Sequence, residues 1–259
     1  GIVTSFEYQL HKVGPEILGG LIMFPYDSAV DVLKYFRDLA RSLPDEIGMQ
    51  AGLVHAPDGS GIPLSGMIVC CSGSKETGQA HIEKIRQFGS PVMDGLGPIT
   101  YEGINSMLDE SMPRGVCNYW KSGFLSDLPD AAIETMVEGF AKCPSNMGGM
   151  FLEHFHGAAT RVPVDATAFG LRSTGDNFIL VSQWADPSQN EANISWTREM
   201  YAAMEPFFSG GMYVNYIDVD GDQRSVQSAY GSNLARLREV KGKYDPSNFF
   251  HLNQNILPA

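Results

Sequence analysis

The chain has 259 residues, 43% of them hydrophobic, enough apolar material for a sizeable core and too much for a disordered chain. Its 30 acidic and 18 basic residues leave a formal charge of -12, which repels polyanions and excludes nucleic acid as a partner. No apolar run approaches the ~20 residues of a bilayer span, and the opening residues lack the basic flank of a signal peptide, so a soluble, cytoplasmic protein is expected. Cys70, Cys71, Cys117 and Cys143 form neither a disulfide framework nor a CxxC metal pair.

The chain opens on an alternating strand pattern, in which Ile2, Phe6, Tyr8 and Leu10 share one parity and Ser5, Glu7 and Gln9 the other. After Gly14-Pro15 a second strand is predicted over Ile17–Phe24, then a helix capped by Asp27 or Ser28. That helix carries Val30, Leu33, Phe36 or Arg37, and Ala40 inward and ends near Pro44. Ile47–His55 and Leu64–Ser72 read as a hairpin around a turn rich in Pro, Asp and Gly. A helix over Lys75–Phe88 precedes an irregular stretch from Gly89 to Gly115, and another helix runs from about Pro129 to Ala141.

Strands follow at Met150–Ala158, Thr167–Arg172 and Phe178–Trp184, then a helix over Asn190–Pro206 with Ile194, Met200 or Tyr201, and Met204 inward. Tyr213–Val219 reads as one more strand and Asn233–Lys243 as a last helix, stopped by Asp245-Pro246. Directly joined strands with interspersed helices predict an α+β fold, an antiparallel β-sheet covered by helices on one face.

Three clusters could carry chemistry. On a strand, Glu153 and Phe155 face one way and His154 and His156 the other, so the histidines could ligate a metal or the carboxylate could act as a base. No HExxH helix or Cys pair supplies the rest of a metal site, and no metal is expected. The glycines form neither GxGxxG nor GxxxxGK[ST], and no GxSxG elbow is present, which leaves Rossmann, P-loop and α/β-hydrolase sites unsupported. Tyr213-Val214-Asn215-Tyr216 packs two phenols and an amide ahead of Asp218, Asp220 and Asp222; it reads as an aromatic strand with a solvated acidic end, or as a catalytic phenol, which needs its pKa of ~10 lowered by a neighbour or by an adjacent cofactor.

The tail is more specific. Ala229-Tyr230-Gly231-Ser232-Asn233-Leu234, then Tyr244-Asp245-Pro246-Ser247-Asn248-Phe249-Phe250 and Asn253-Gln254-Asn255, resembles the C-terminal signature of berberine bridge enzyme-like FAD-linked oxidases, the vanillyl-alcohol-oxidase-type flavoproteins. Upstream, Gly157–Val162, Gln183-Trp184 with Asp186-Pro187, and Tyr119–Ser122 extend the likeness over essentially the whole chain.

The resemblance implies the C-terminal part of such an enzyme: residues 1–12 as the last strand of an FAD-binding domain, 13–222 as the substrate domain and 223–259 as a return segment packing on the FAD domain. It implies FAD held mostly by an N-terminal FAD-binding domain outside this sequence, hydride transfer from an alcohol or amine carbon to flavin N5, and O2 as acceptor. A second copy of the chain is a further candidate partner.

By the same resemblance Tyr216 is the expected base or the base's hydrogen-bond partner, with Glu153 a secondary candidate. Tyr213 is expected to touch both the chemistry and the substrate, Asn215 with Gly1, Ile2 and Val3 the flavin, and Ile179 and His156 the substrate. Relatives often carry an amide where Ile179 sits, which points to a less polar substrate here. The alternative is an α+β ligand-binding or dimerisation module with no catalytic activity.

Overall fold

The structure, a computed structural model, describes residues 1–217, 221 and 223–259. Strand β1 (Glu16–Pro25) sends Leu18, Ile22 and Phe24 into the core, the period-two pattern of a strand with one buried side. Helix α1 (Ala29–Ala40) buries Ala29, Val32, Leu33, Phe36 and Ala40. Val30 sits at the margin, and Arg37 leaves the core to hydrogen-bond Asp130 and the Leu128 carbonyl.

Strands β2 (Ile47–His55) and β3 (Pro63–Cys71) form the predicted hairpin, closed by Ala56 N–H on Ile62 O at 2.8 Å. Gly52 sits opposite Gly66 in its register. Helix α2 (Lys75–Arg86) is capped by Ser74 Oγ, which accepts the Thr77 N–H at 3.2 Å.

The stretch expected to be irregular supplies short β4 (Met93–Asp94) and β5 (Gly97–Thr100), both paired with β1, and α3 (Tyr101–Asn105). The chain continues through β6 (Cys117–Leu125), α4 (Asp130–Phe140), β7 (Gly149–Phe155) and α5 (Ala158–Arg161). It ends with β8 (Gly175–Trp184), α6 (Asn190–Met204), α7 (Gln223–Tyr230) and α8 (Leu234–Tyr244).

Among the described residues the strands make one antiparallel sheet in the order β4-β1-β3-β2-β7-β8-β6, with β5 also on β1. Helices α1, α2, α4 and α6 pack on one face of it. Ile47, Met49, Ala51, Leu53, Met67, Val69, Met150, Leu152, Phe178 and Leu180 point to that side and meet the buried faces of the helices. The opposite parity, Gln50, Gly52, Gly66, Phe151, Glu153, Asn177 and Ile179, faces away, toward α3 and the irregular segments.

Three strand expectations fail. Residues 2–10 form no strand: Ile2, Phe6 and Leu10 are exposed, and with no neighbouring strand to bond to, alternation alone makes no ladder. Thr167–Arg172 is irregular because side chains use its polar groups: Asn233 Nδ2 donates to the carbonyls of Val164 and Thr167, and Arg172 reaches Ala159 O and Thr167 Oγ1. Over Tyr213–Ile217 the expected strand is a 3₁₀ turn, Val214–Tyr216, and the rest of that prediction, with Asp218, Asp220 and Asp222, lies outside the described residues.

Among the described residues no helix is long and apolar enough to cross a membrane.

Candidate functional site

The turn at Val214–Tyr216 assembles what a strand would have separated. A regular strand sends Tyr213 and Tyr216 to opposite faces; here Tyr216 N–H folds back onto Tyr213 O at 3.0 Å and the two rings meet edge to face, 5.1 Å apart. Asn215 Nδ2 donates to the Tyr213 hydroxyl at 2.8 Å, and the edge of Phe169 packs against Tyr213.

Tyr216 then leans onto the helix-free face of the sheet. Its hydroxyl donates to Glu153 Oε1 at 3.2 Å, while Asn177 Nδ2, from the register neighbour of Glu153 on β8, donates to Oε2 at 2.9 Å. The carboxylate is thus held from both sides, by one strand neighbour and one turn residue. The indole of Trp120, on β6, lies 6.1 Å from the Tyr216 ring.

Burial pushes the Glu153 carboxyl above its ordinary pKa, against the two hydrogen bonds that favour its ionised form. Burial, the Glu153 charge and the hydrogen bond to it all push the Tyr216 phenol upward. None of the described residues around Tyr216 lowers its pKa, and its hydroxyl donates to Glu153.

Beside this pair lies a cavity of about 430 Å³, with Trp120, Gln183, Asn215, Tyr216 and Ile217 in its walls. A second, more apolar cavity of about 560 Å³ covers the Gly52–Gly66 pair and Phe151. Met112 and Pro113 line both. The second cavity owes its floor to the two glycines: a Cβ on Gly66 would meet Met23 Sδ at 2.3 Å and Ile22 O at 2.7 Å, and one on Gly52 would meet Phe151 Cδ1 at 2.7 Å.

Of the expected site residues, the fold brings together Glu153, Tyr213, Asn215 and Tyr216. Ile179 is buried on the same face, opposite Phe151 and Ser122, outside the walls of both cavities. His156 belongs to the other face. It stacks on His154 at 5.1 Å and its Nε2 lies 2.9 Å from Ile47 O, while His154 Nδ1 lies 2.8 Å from Asp176 Oδ1. The strand parity that points Glu153 to the cavity side carries His156 away from it, so His156 is corrected to a residue of the helix side. Gly1, Ile2 and Val3 are exposed and carry no secondary structure.

Sequence reading missed Asn177, Trp120, Gln183 and Met112. The first three share a face with Glu153 through the β6–β8–β7 register, which no single-strand pattern reveals.

Comparison with known proteins gives a consistent family. Residues 212–257 match the family model described as "Berberine and berberine like". An FAD-linked oxidoreductase of Dictyostelium discoideum is 27% identical over all of this chain and 55% of its own length. Berberine bridge enzyme-like 17 of Arabidopsis thaliana is 37% identical over 58% of this chain and 31% of its own.

Among solved structures, 6-hydroxy-D-nicotine oxidase of Arthrobacter nicotinovorans superposes on 97% of this chain and 57% of its own, with a TM-score of 0.79 at 19% identity. Berberine bridge enzyme in complex with (S)-reticuline superposes on 94% of this chain and 55% of its own, with a TM-score of 0.77 at 20% identity. The fold is therefore that of the corresponding half of these oxidases. The chain is similar along its whole length to FAD-linked oxidoreductases and over about half of it to berberine bridge enzyme-like proteins, and spans about half the length of the curated relatives that it matches end to end.

Proposed function

We propose, on the premise of that family likeness, that this chain is the substrate-side part of an FAD-dependent oxidoreductase in which Glu153 takes a proton from the substrate and Tyr216 positions Glu153. The observation that carries the reading is the carboxylate itself. It is partly buried on the helix-free face of the sheet, raised in pKa, and gripped by Asn177 and by Tyr216, which lines the 430 Å³ cavity in front of it.

FAD fits this face at its ring end. Amides, a phenol and an indole (Asn118, Asn215, Tyr216 and Trp120) suit a flat heteroaromatic ring, and among the described residues no Lys or Arg lines the 430 Å³ cavity to hold a pyrophosphate. We assign the ring edge to Asn215, with Gly1, Ile2 and Val3, and the phosphates to an N-terminal FAD-binding domain. The exposure of Ile2, Val3, Phe249 and Phe250 supports docking of such a domain against both ends of the chain. When bound, FAD supplies the acceptor for a hydride from an alcohol or amine carbon, and O2 is the proposed final oxidant.

The chain's own residues handle the proton. Glu153, shifted toward its neutral form by burial, is a stronger base than a solvated carboxylate, as removal of a hydroxyl or ammonium proton requires. Tyr216 and Asn177 fix both carboxylate oxygens, so the carboxylate waits in one orientation. Tyr213, tied to Asn215 and packed on Tyr216, sets the position of the Tyr216 ring.

The test is the purified full-length protein. It is expected to be yellow, with flavin absorption that bleaches anaerobically when a substrate from a panel of alcohols and amines is added. Colourless full-length protein that takes up no added FAD would sink the reading in favour of a non-catalytic binding module.

A further inference from the structure

Within the wall of the 430 Å³ cavity one polar group is unaccounted for. Gln183 is 1% exposed, and its Oε1 is shut off from solvent with no hydrogen-bond partner among the described residues. Its other end is placed: Nε2 lies 2.6 Å from Met112 Sδ. A thioether sulfur only accepts, so the NH₂ end belongs on Met112 and the carbonyl oxygen is the end left over.

A buried acceptor without a donor costs free energy that a fold does not ordinarily carry, and such an atom in a cavity wall is explained by what enters the cavity. Its cross-strand partner is Asn118, whose Nδ2 donates to the Val116 carbonyl at 3.0 Å, and the neighbour on its own strand face, Val181, is apolar. Along β8, Gln183 lies six residues from Asn177, which holds Glu153, a separation of about 20 Å at the strand rise. The cavity wall therefore holds Tyr216, the hydrogen-bond partner of Glu153, and separately the Gln183 acceptor.

We propose that Gln183 is a specificity-determining residue of this site, its Oε1 accepting a hydrogen bond from a hydroxyl or N–H group of the substrate remote from the carbon that reacts. The substrate class that follows is an alcohol or amine carrying a second hydrogen-bond donor, separated from the reacting group by an apolar body. This rests on the proposed oxidoreductase reading for the reaction, although the binding contact stands without it. Met112 fixes the amide and also borders the second cavity, so its side chain couples the reading of the donor to the apolar space beyond.

The experiment uses the full-length protein and an isomeric probe pair transparent to protein fluorescence, cyclohexylmethanol and methoxycyclohexane, of which only the first has a hydrogen-bond donor. Binding is followed by tryptophan fluorescence in the wild type, Gln183→Met and Gln183→Glu. The wild type is expected to bind the hydroxylated probe about tenfold to a hundredfold more tightly than its ether counterpart. Gln183→Met, which keeps length and apolar contacts but removes the acceptor, should bring that ratio close to one, and Gln183→Glu, which keeps an acceptor, should restore part of it.

A wild-type ratio near one, failure of the wild type to bind either probe, or a ratio unchanged in Gln183→Met overturns the proposal. The wild-type measurement alone suffices if a variant fails to fold. Donor-dependent binding in a protein that takes up no FAD would uphold Gln183 and sink the redox reading, while a flavin-containing protein indifferent to the donor would do the reverse.

Discussion

In the proposed reading, Glu153 and Tyr216 divide the work that a single activated phenol would otherwise have to do. Each raises or lowers the other: the Glu153 charge holds the proton on Tyr216, and the Tyr216 hydrogen bond lowers the Glu153 pKa against the upward push of burial. Glu153→Gln in the full-length enzyme is expected to lower kcat by about 10²-fold or more, the usual contribution of a general base. In the wild type, kcat/KM should fall as pH drops through a value above the ordinary range of glutamate. Tyr216→Phe removes a hydrogen bond that favours the carboxylate, so this limb should move to higher pH, whereas a Tyr216 base would simply lose the activity. The pH profile of kcat/KM in the two variants decides, and a limb that stays put in Tyr216→Phe would remove Tyr216 from the positioning role.

At the scale of elements, what could be read in advance follows from what a period can encode. Period-two alternation on β7 separates Glu153 from His154 and His156 correctly, because the separation is a property of one strand. Pairing is not such a property. Cys117–Leu125 mixes Asn118, Lys121 and Ser122 with apolar residues and carries no clean alternation, yet it is a full strand because β8 lies beside it. Tyr213–Ile217 is the converse, strand-like in composition with no strand beside it, and it closes into a turn that builds the site.

Helix α8 ends on a feature the Asp-Pro sequence only hinted at. The Asp245 carboxylate accepts from Lys241 Nζ at 2.5 Å and from the N–H groups of Phe249 and Phe250 at 2.8 and 3.0 Å, which holds its pKa down at about 2. A folded pKa below the unfolded one gives stability that is present above about pH 4 and lost as pH falls toward 2. Asp245→Asn should lower Tm at neutral pH, and the gap from wild type should narrow between pH 5 and pH 3. A pH-independent gap would mean that the charge contributes nothing.

Over the whole molecule, one sheet does two jobs on its two sides. Its helix side is closed by the faces of α1, α2, α4 and α6 and supplies the rigid support. Its other side is left to turns and loops, which carry cavity-forming groups from distant parts of the chain, Met112 before β6 and Tyr216 after α6, while Gln254 in the tail braces the lining residue Ile217, its Nε2 donating to Ile217 O at 2.7 Å. The α+β class and the side-chain directions were legible because they follow from hydrophobic periodicity. The way the turn and tail meet over β7 was not, since it depends on contacts between residues far apart in sequence.

The opening segment, with its large apolar side chains in solvent and its backbone outside any ladder, has a further consequence for handling the chain. Chymotrypsin needs an extended, accessible stretch next to an aromatic or leucine residue, and Phe6, Tyr8 and Leu10 offer three such bonds, at side-chain exposures of 71%, 71% and 80% for the residues concerned. Brief digestion of the 259-residue chain should clip these bonds before any bond in β1 to β8, leaving the sheet intact by mass spectrometry. The same bonds should become resistant in the full-length enzyme if the segment is paired there, so protease sensitivity offers a direct readout of docking that requires neither substrate nor flavin.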